Sequence, residues 1–312
     1  LTSLEDELNR RLASDFDVTP SNKNAFGKWL KSHQPFHWFL EFYGIVSSGG
    51  FDVIIGNPPY VELNSLDDYK IRGFACEESG NLYALVMERC SHLGRKDGRQ
   101  GFIVPVSSIS TDRYATLQGV LAGREDYFSS YDDRPSRLFD GLEHIRLTIH
   151  ILGRQVNLSR RFSTRYSKWL AEERADLFAK LQFAASAPAF VGHTFPKFAS
   201  ELEESIAAKL EKQHSSLASF YARSSNHTIF YSRKVGYFLQ VLDFEPRVID
   251  GRGKLRPPSE FKELRFDTAE MAQLALCCLN ANVFYWFVTV FSDCRHVNKR
   301  EVDAFPINLA LL

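Results

Sequence analysis

The sequence predicts an α/β protein: part of a doubly wound sheet, followed by a separate α+β domain. Three observations lead there. Short β-branched runs such as "FDVIIG" (51–56) and "GFIVPVS" (101–107) alternate with stretches of helical apolar spacing, the order that gives parallel strands covered by helices. The first run ends in glycine and then Pro-Pro, so its carboxyl end leads straight into a loop. Near "LGRQVNLSRRFSTRY" the alternation stops, which sets a domain boundary near residue 155.

In chain order, Leu4, Leu8, Leu12 and Phe16 recur at four-residue spacing and predict one helix, and "KNAFGKWLKSH" predicts a second. "FDVIIG" reads as a buried strand. Leu82, Leu85, Val86, Arg89, Cys90 and Leu93 describe the next helix with its apolar face, and "GFIVPVS" reads as another buried strand. "TDRYATLQGVLAG" predicts a helix, and "DYFSSYD" and "HIRLTIHIL" predict strands. Beyond the boundary, "TRYSKWLAEERADLFAKLQF" and "FASELEESIAAKLEKQ" read as helices and "HTIFYSRKVGYFLQVLDF" as strand. A basic loop, "EPRVIDGRGKLRPPSE", precedes "TAEMAQLALCCLNANVFYWFVTVF", read as one long apolar-faced helix. The organisation is a helical lead-in over 1–50, an α/β half-domain over 51–154, and an α+β domain over 155–312.

Composition narrows the function classes. The 312 residues are 44% hydrophobic and 24% charged, as in a globular protein of about two domains. Five cysteines without a Cys-x-x-Cys pair, and without metal-ligand rhythm among nine histidines, argue against a disulfide framework or a zinc site and for a reducing cytosol. The N-terminus has no signal-peptide core, "NANVFYWFVTVF" is too short and interrupted to span a bilayer, and no membrane partner is expected. The missing initiator methionine suggests a fragment of a longer protein. Residues 1–153 carry 16 Lys+Arg against 21 Asp+Glu, and residues 154–312 carry 22 against 17. A second half at +5 fits contact with a polyanion, although a chance split has the same form.

"GNPPYVE" (56–62) carries the chemistry. Two prolines fix backbone φ and push Asn57 towards an extended conformation, so the loop holds one shape before a ligand arrives. Asn57 supplies a side-chain carbonyl oxygen, Pro58 a backbone carbonyl, Pro59 rigidity and Tyr60 a flat ring. Two acceptors beside an aromatic plate match a planar substrate bearing an amino group: they hold both amino hydrogens, draw the nitrogen lone pair out of conjugation, and leave it able to attack an electrophile. Strand carboxyl ends are where open α/β sheets bind ligands. The plainer alternative is a stiff turn with a surface tyrosine; the strand ahead of the loop and the element order behind it favour the site.

"GGFDVIIGNPPYVE" resembles motif IV of S-adenosylmethionine-dependent amino-methyltransferases, and the run from "FHWFLEFYGIVSSGG" onward resembles adenine-N6 DNA methyltransferases of restriction–modification and phage-defence systems, including the type IIG kind. "GNLYALVMERCSHLGRKDGRQGFIVPVSSI", "SRLFDGLEHIRLTIHIL" and the closing "LCCLNANVFYWFVTVFSDCRHVNKREVDAFPI" extend the resemblance, closely over 35–154 and loosely beyond. It implies a class I (Rossmann-like) methyltransferase sheet followed by a target-recognition domain. S-adenosylmethionine would be the cofactor, double-stranded DNA the partner, and a nuclease or other defence-system subunit a further one. Asn57 and the Pro58 carbonyl would accept the amino hydrogens of a flipped adenine, Tyr60 would stack on it, and Phe139 is a candidate second wall, with ordinary core as the stronger reading. Asp52 reads as a structural acceptor. The sequence departs from the family in one respect: no glycine-rich cofactor loop opens a helix before residue 50, so most of the donor half is expected outside this chain.

Arg233, Lys234, Arg252, Lys254, Arg256, Arg295, Lys299 and Arg300, with Asn298 as a base-edge reader, are candidates for DNA contact. Asp250 with Glu260 and Lys262 mimics nuclease spacing, but Pro257 and Pro258 interrupt the strand that motif needs. His33 and His37 lack a third ligand and read as structural. Two rival functions remain: a protein-glutamine or ribosomal-RNA amino-methyltransferase, and a non-catalytic DNA-binding or specificity subunit.

Overall fold

The computed structural model describes residues 2–67, 69–186, 191–213 and 215–308. The lead-in forms as its spacing predicts. Helix α1 (Thr2–Asp15) packs on α2 (Lys23–His33), whose N-cap Asn22 accepts a hydrogen bond from the Ala25 amide, and Ala13, Phe26 and Trp29 are buried between them. His33 stacks against Tyr69 at 4.8 Å and accepts from the Lys70 amide at 3.2 Å, while His37 bonds Asn9 at 2.9 Å. Both histidines therefore serve the packing of the lead-in.

Strand β1 (Phe51–Gly56), helix α3 (Leu82–Leu93), β2 (Gly94–Pro105), α4 (Ala115–Val120), β3 (Arg124–Tyr131) and β4 (Leu147–Gln155) follow, then the short β5 (Arg160–Ser163) and β6 (Ala184–Ala185). The six strands form one sheet in the order β1-β2-β4-β3-β5-β6. β1 and β2 are parallel, with Gly56 opposite Phe102, joined by the α3 crossover as the alternation requires. The sheet as a whole is mixed, because β4 enters between β2 and β3. Its far end bonds the start of β3 (Val156 N–H to Gly123 O, 2.8 Å; Arg124 Nη1 to Gly153 O, 3.0 Å), and its near end lies by the end of β3 (Ser130 Oγ to Thr148 Oγ1, 3.3 Å). That order of contacts is antiparallel. No helix in the β3–β4 connection offers the crossover that a parallel return needs. One expectation is corrected: β1 is an edge strand rather than a buried one. Among the described residues it pairs with β2 alone, and Val53 is 57% and Ile55 82% exposed.

The chain divides into two compact units, one of Leu1–Val104, Arg113–Asp126 and Ile149–Arg160, the other of Pro105–Asp112, Tyr127–Thr148 and Arg161–Leu312. The core of the first includes Tyr83, Leu85, Met87, Phe102, Leu117 and Leu152. The second is built on a three-stranded antiparallel sheet of β7 (His227–Ser232), β8 (Val241–Leu242) and β9 (Phe261–Phe266), ordered β9-β7-β8. Around it lie α5 (Glu201–Glu211), α6 (Ala269–Asn280), α7 (Asn282–Phe291) and α8 (Lys299–Ala304), and Ile229, Phe266, Phe284, Phe287 and Phe291 are buried.

Two predicted helices differ here. The stretch 164–183 contains only a 3₁₀ segment, Ala171–Asp176. Ser167 is drawn instead onto the end of β3, donating to Ser130 O and accepting from the Asp132 amide, both at 2.8 Å. The long C-terminal helix breaks by 63° between α6 and α7. Ala281 is extended there (φ −74°, ψ 149°), and Asn280 Nδ2 donates to Val241 O at 3.2 Å, so the end of α6 is tied to β8. The break lets both apolar segments bury against the same core. Among the described residues no single helix is long and apolar enough to cross a membrane.

Candidate active site

Asn57, Pro58, Pro59 and Tyr60 follow β1 at its carboxyl end, where the sequence places them. Asn57 and Pro59 are exposed, Pro58 is buried, and Tyr60 is half-buried. The Tyr60 ring packs on the core with its edge towards Tyr83 (6.2 Å, 89°). Its hydroxyl lies 2.7 Å from Asn57 Oδ1 and 2.8 Å from the carbonyl oxygen of Ile103 near the end of β2. One phenolic hydrogen serves one of these acceptors at a time. Burial pushes the Tyr60 hydroxyl up to about 12, so it remains a donor across the physiological range. Beyond its expected role as a plate, Tyr60 thus positions the Asn57 oxygen.

The loop's exit is pinned as firmly as its entry. Leu82 N–H donates to Val61 O and Leu63 N–H to Gly80 O, both at 2.9 Å, which ties the loop to the start of α3. The Glu62 carboxylate accepts from Asn81 Nδ2 (3.2 Å) and from both terminal nitrogens of Arg113, whose Nε donates to Ser79 O at 2.5 Å. Gly80 takes φ +65°, a left-handed conformation that favours glycine, and a Cβ there would stand 2.5 Å from Arg113 Nη2 and displace the end of that side chain. The Arg113 guanidinium holds the Glu62 carboxyl below the usual range. Asp52 pairs with Arg95 at 3.0 Å. Arg113 lies fifty-one positions from Glu62, so the pair carries no local signal, whereas Asn81 before an apolar run is a readable N-cap.

Of the other sequence candidates, Phe139 is half-buried in the β3–β4 connection, within the second unit. Four of the DNA-contact candidates are engaged internally. Arg256 grips Glu260 through two 2.9 Å bonds, and Lys299 pairs with Asp303 at 2.7 Å. Arg300 binds Asp112, Glu301 and Ser110 O. Asn298 is the N-cap of α8, its amide held by Glu301 at 2.8 Å. Arg233 is half-buried; Lys234, Arg252, Lys254 and Arg295 are exposed, and none of these five side chains has an ion pair among the described residues. Asp250 closes a turn by accepting from the Arg252 and Lys254 amides, and no three metal-ligating side chains among the described residues are placed to hold a metal.

The glycines just before β1 do not form a cofactor cradle. Gly49 and Gly50 take φ +102° and +108° in the turn entering the strand, and Gly50 packs against backbone at the end of α3. Among the described residues no glycine-rich turn leads from a strand into a helix ahead of β1.

Residues 4–126 match the Eco57I restriction-modification methylase family. Over 111 residues, 32% of the chain, the sequence is 36% identical to a Methanocaldococcus jannaschii protein named as a type II restriction enzyme and methyltransferase; the chain spans 9% of that relative's length. Among solved structures, it is similar to the DrdV–DNA complex (15% identity, 48% of this chain and 18% of that one, TM-score 0.38). It is also similar to a nuclease-deletion mutant of the type ISP restriction-modification enzyme LlaGI with a DNA substrate mimic (13% identity, 62% and 22%, TM-score 0.40).

Proposed function

We propose that this chain is the amine-gripping part of a DNA adenine-N6 methyltransferase of a restriction–modification or phage-defence system, acting in the cytoplasm. Residues 51–154 would form the catalytic half-domain and residues 155–312 the target-recognition domain. The observation that carries the reading is the Asn57–Tyr60 loop, locked at the carboxyl end of β1 inside the segment that matches restriction-modification methylases. In this reading Asn57 Oδ1 and the Pro58 carbonyl accept the two amino hydrogens of an adenine flipped out of the duplex, and the exposed part of Tyr60 meets its face. When the amine takes the Asn57 oxygen, the Tyr60 hydrogen turns to Ile103 O and stays satisfied. S-adenosylmethionine is the proposed methyl donor; no glycine-rich strand-to-helix turn lies ahead of β1 among the described residues, and most of its cradle is proposed to come from outside them. Phe139 is a proposed second wall of the base pocket.

The lack of such a turn among the described residues favours a second reading, a non-catalytic DNA-binding or specificity subunit that keeps the loop. Transfer of tritiated methyl from S-adenosylmethionine to duplex DNA by the full-length protein, with ribosomal RNA and protein as competing acceptors, separates the readings. Label in DNA adenine that falls about 10²–10³-fold in Asn57→Ala supports the proposal. Label in RNA or protein, or DNA binding without any transfer, overturns it.

A further inference from the structure

In the second unit the chain between β7 and β8 forms a hairpin loop that is rigid at its base and apolar at its tip. The Ser232 amide donates to Gln240 O at 2.8 Å, closing the loop, and Val235 and Leu239 pack on the core from its two arms. The Gly236 carbonyl is held twice, by Lys168 Nζ and by the Tyr285 hydroxyl, each at 2.9 Å. Beyond these anchors the tip presents Tyr237, 75% exposed, and Phe238, 74% exposed. Two adjacent aromatics on this turn, each about three-quarters exposed, present apolar surface to solvent, an arrangement with a cost unless something covers it.

The surroundings identify the chemistry of the cover. Lys168 Nζ lies 4.5 Å from the centre of the Tyr237 ring. Arg233 and Lys234 precede the tip in sequence, and Arg295 is brought alongside because Val297 N–H donates to Arg233 O and Val235 N–H to Arg295 O. Apolar rings with Lys168 over one face, and with Arg233, Lys234 and Arg295 on the adjoining backbone, suit a polyanion whose interior is a stack of flat apolar faces. A protein pocket would need the rings but not the cations.

We propose that Tyr237 and Phe238 form a wedge that enters the base stack of duplex DNA while Arg233, Lys234 and Arg295 hold the flanking phosphates. The proposal rests on the DNA-methylating reading and extends it, because unstacking one step beside a target base lowers what it takes to flip that base.

The test uses the full chain and duplexes carrying 2-aminopurine at successive steps, which brightens when it is unstacked. Wild type should brighten the probe at steps within its footprint. Tyr237→Ala/Phe238→Ala should abolish the brightening and weaken binding about tenfold to a hundredfold, the scale of one or two stacking contacts, with an unchanged melting temperature. Tyr237→Phe and Phe238→Trp should keep both properties. If the double variant binds and brightens the probe as wild type does, or if wild type binds with no brightening at any step, the wedge is wrong and the DNA reading stands. If wild type binds no duplex DNA, both fall.

Discussion

Asn57 and Tyr60 show how much one hydrogen bond can organise. A free asparagine side chain samples several rotamers; here the Tyr60 hydroxyl holds its oxygen at 2.7 Å before any substrate arrives. Tyr60→Phe keeps the ring and removes the grip; under the proposed function, methyl transfer by the full-length protein should fall roughly fivefold to tenfold, the weight of one neutral hydrogen bond, and Tyr60→Ala should fall further. The same change has a signature in stability. The buried phenol titrates at about 12 in the folded protein against 10 in the open chain, so folding favours its protonated form. That contribution is whole below about pH 10 and is lost as the pH climbs towards 12. Denaturant midpoints measured from pH 9 to 12 should decline less steeply in Tyr60→Phe than in wild type. Lys197 makes a different case. It is fully buried, and its Nζ donates to Val290 O at 2.8 Å and Ser292 O at 2.7 Å, satisfying carbonyls at the end of α7. Lys197→Met fits the space but leaves the Ser292 carbonyl without its ammonium donor, while the amide of residue 197 still bonds Val290 O at 3.2 Å, and thermal melts should show a loss of about 1–2 kcal/mol.

At the scale of elements, the site depends on the tie between the loop and α3. Arg113 draws together Glu62, Asn81's partner carboxylate, and the Ser79 carbonyl, so Arg113→Ala should loosen the loop exit without touching Asn57. Amide hydrogen exchange at Leu63 and Leu82 should quicken, and under the proposed function kcat for methyl transfer should fall more than KM rises; Arg113→Lys, lacking the fork, should recover only part. The Glu62 carboxyl is depressed by that guanidinium, so its share of stability is present above the usual carboxylate range and is lost as the pH falls through the lowered value; in Arg113→Ala that acid limb should flatten. Elements whose shape is set locally were legible in sequence: α2 spans the residues its spacing indicates, and β1 ends at Gly56 with Asn57 just beyond it. Elements set by distant partners were not. Residues 164–183 have helical composition, but Ser167 gains more by bonding the end of β3. The break at Ala281 depends on Asn280 reaching Val241, a residue thirty-nine positions away. The mixed sheet followed from a missing crossover helix, and the exposure of β1 from its place at the edge, neither of which residue type reveals.

At the scale of the whole molecule, the charge split between the halves says less than the pairing of individual cations. Residues 154–312 carry the excess of Lys+Arg, yet the geometry sorts those side chains into two kinds. Arg300, held by Asp112, Glu301 and the Ser110 carbonyl, is part of the second unit's framework, and its removal would leave the wholly buried Glu301 with the Asn298 amide but without its cationic partner. Arg252 and Lys254 stand exposed on a turn closed by Asp250 through backbone amides alone, so truncating them disturbs no hydrogen bond in the fold. If the chain meets DNA through such unpaired cations, their roles divide cleanly. Arg252→Ala and Lys254→Ala should each weaken duplex binding by a similar factor on every sequence, reduce the slope of log affinity against log salt by about 1, and leave the melting temperature unchanged. Arg300→Ala should lower the melting temperature by several degrees and leave the salt slope as it was, because its charge is already neutralised within the protein. Salt titrations and melts on the three variants decide it: an unaltered slope in Arg252→Ala and Lys254→Ala would remove that turn from the DNA-facing surface, and a reduced slope in Arg300→Ala would show that its ion pairs open when DNA binds.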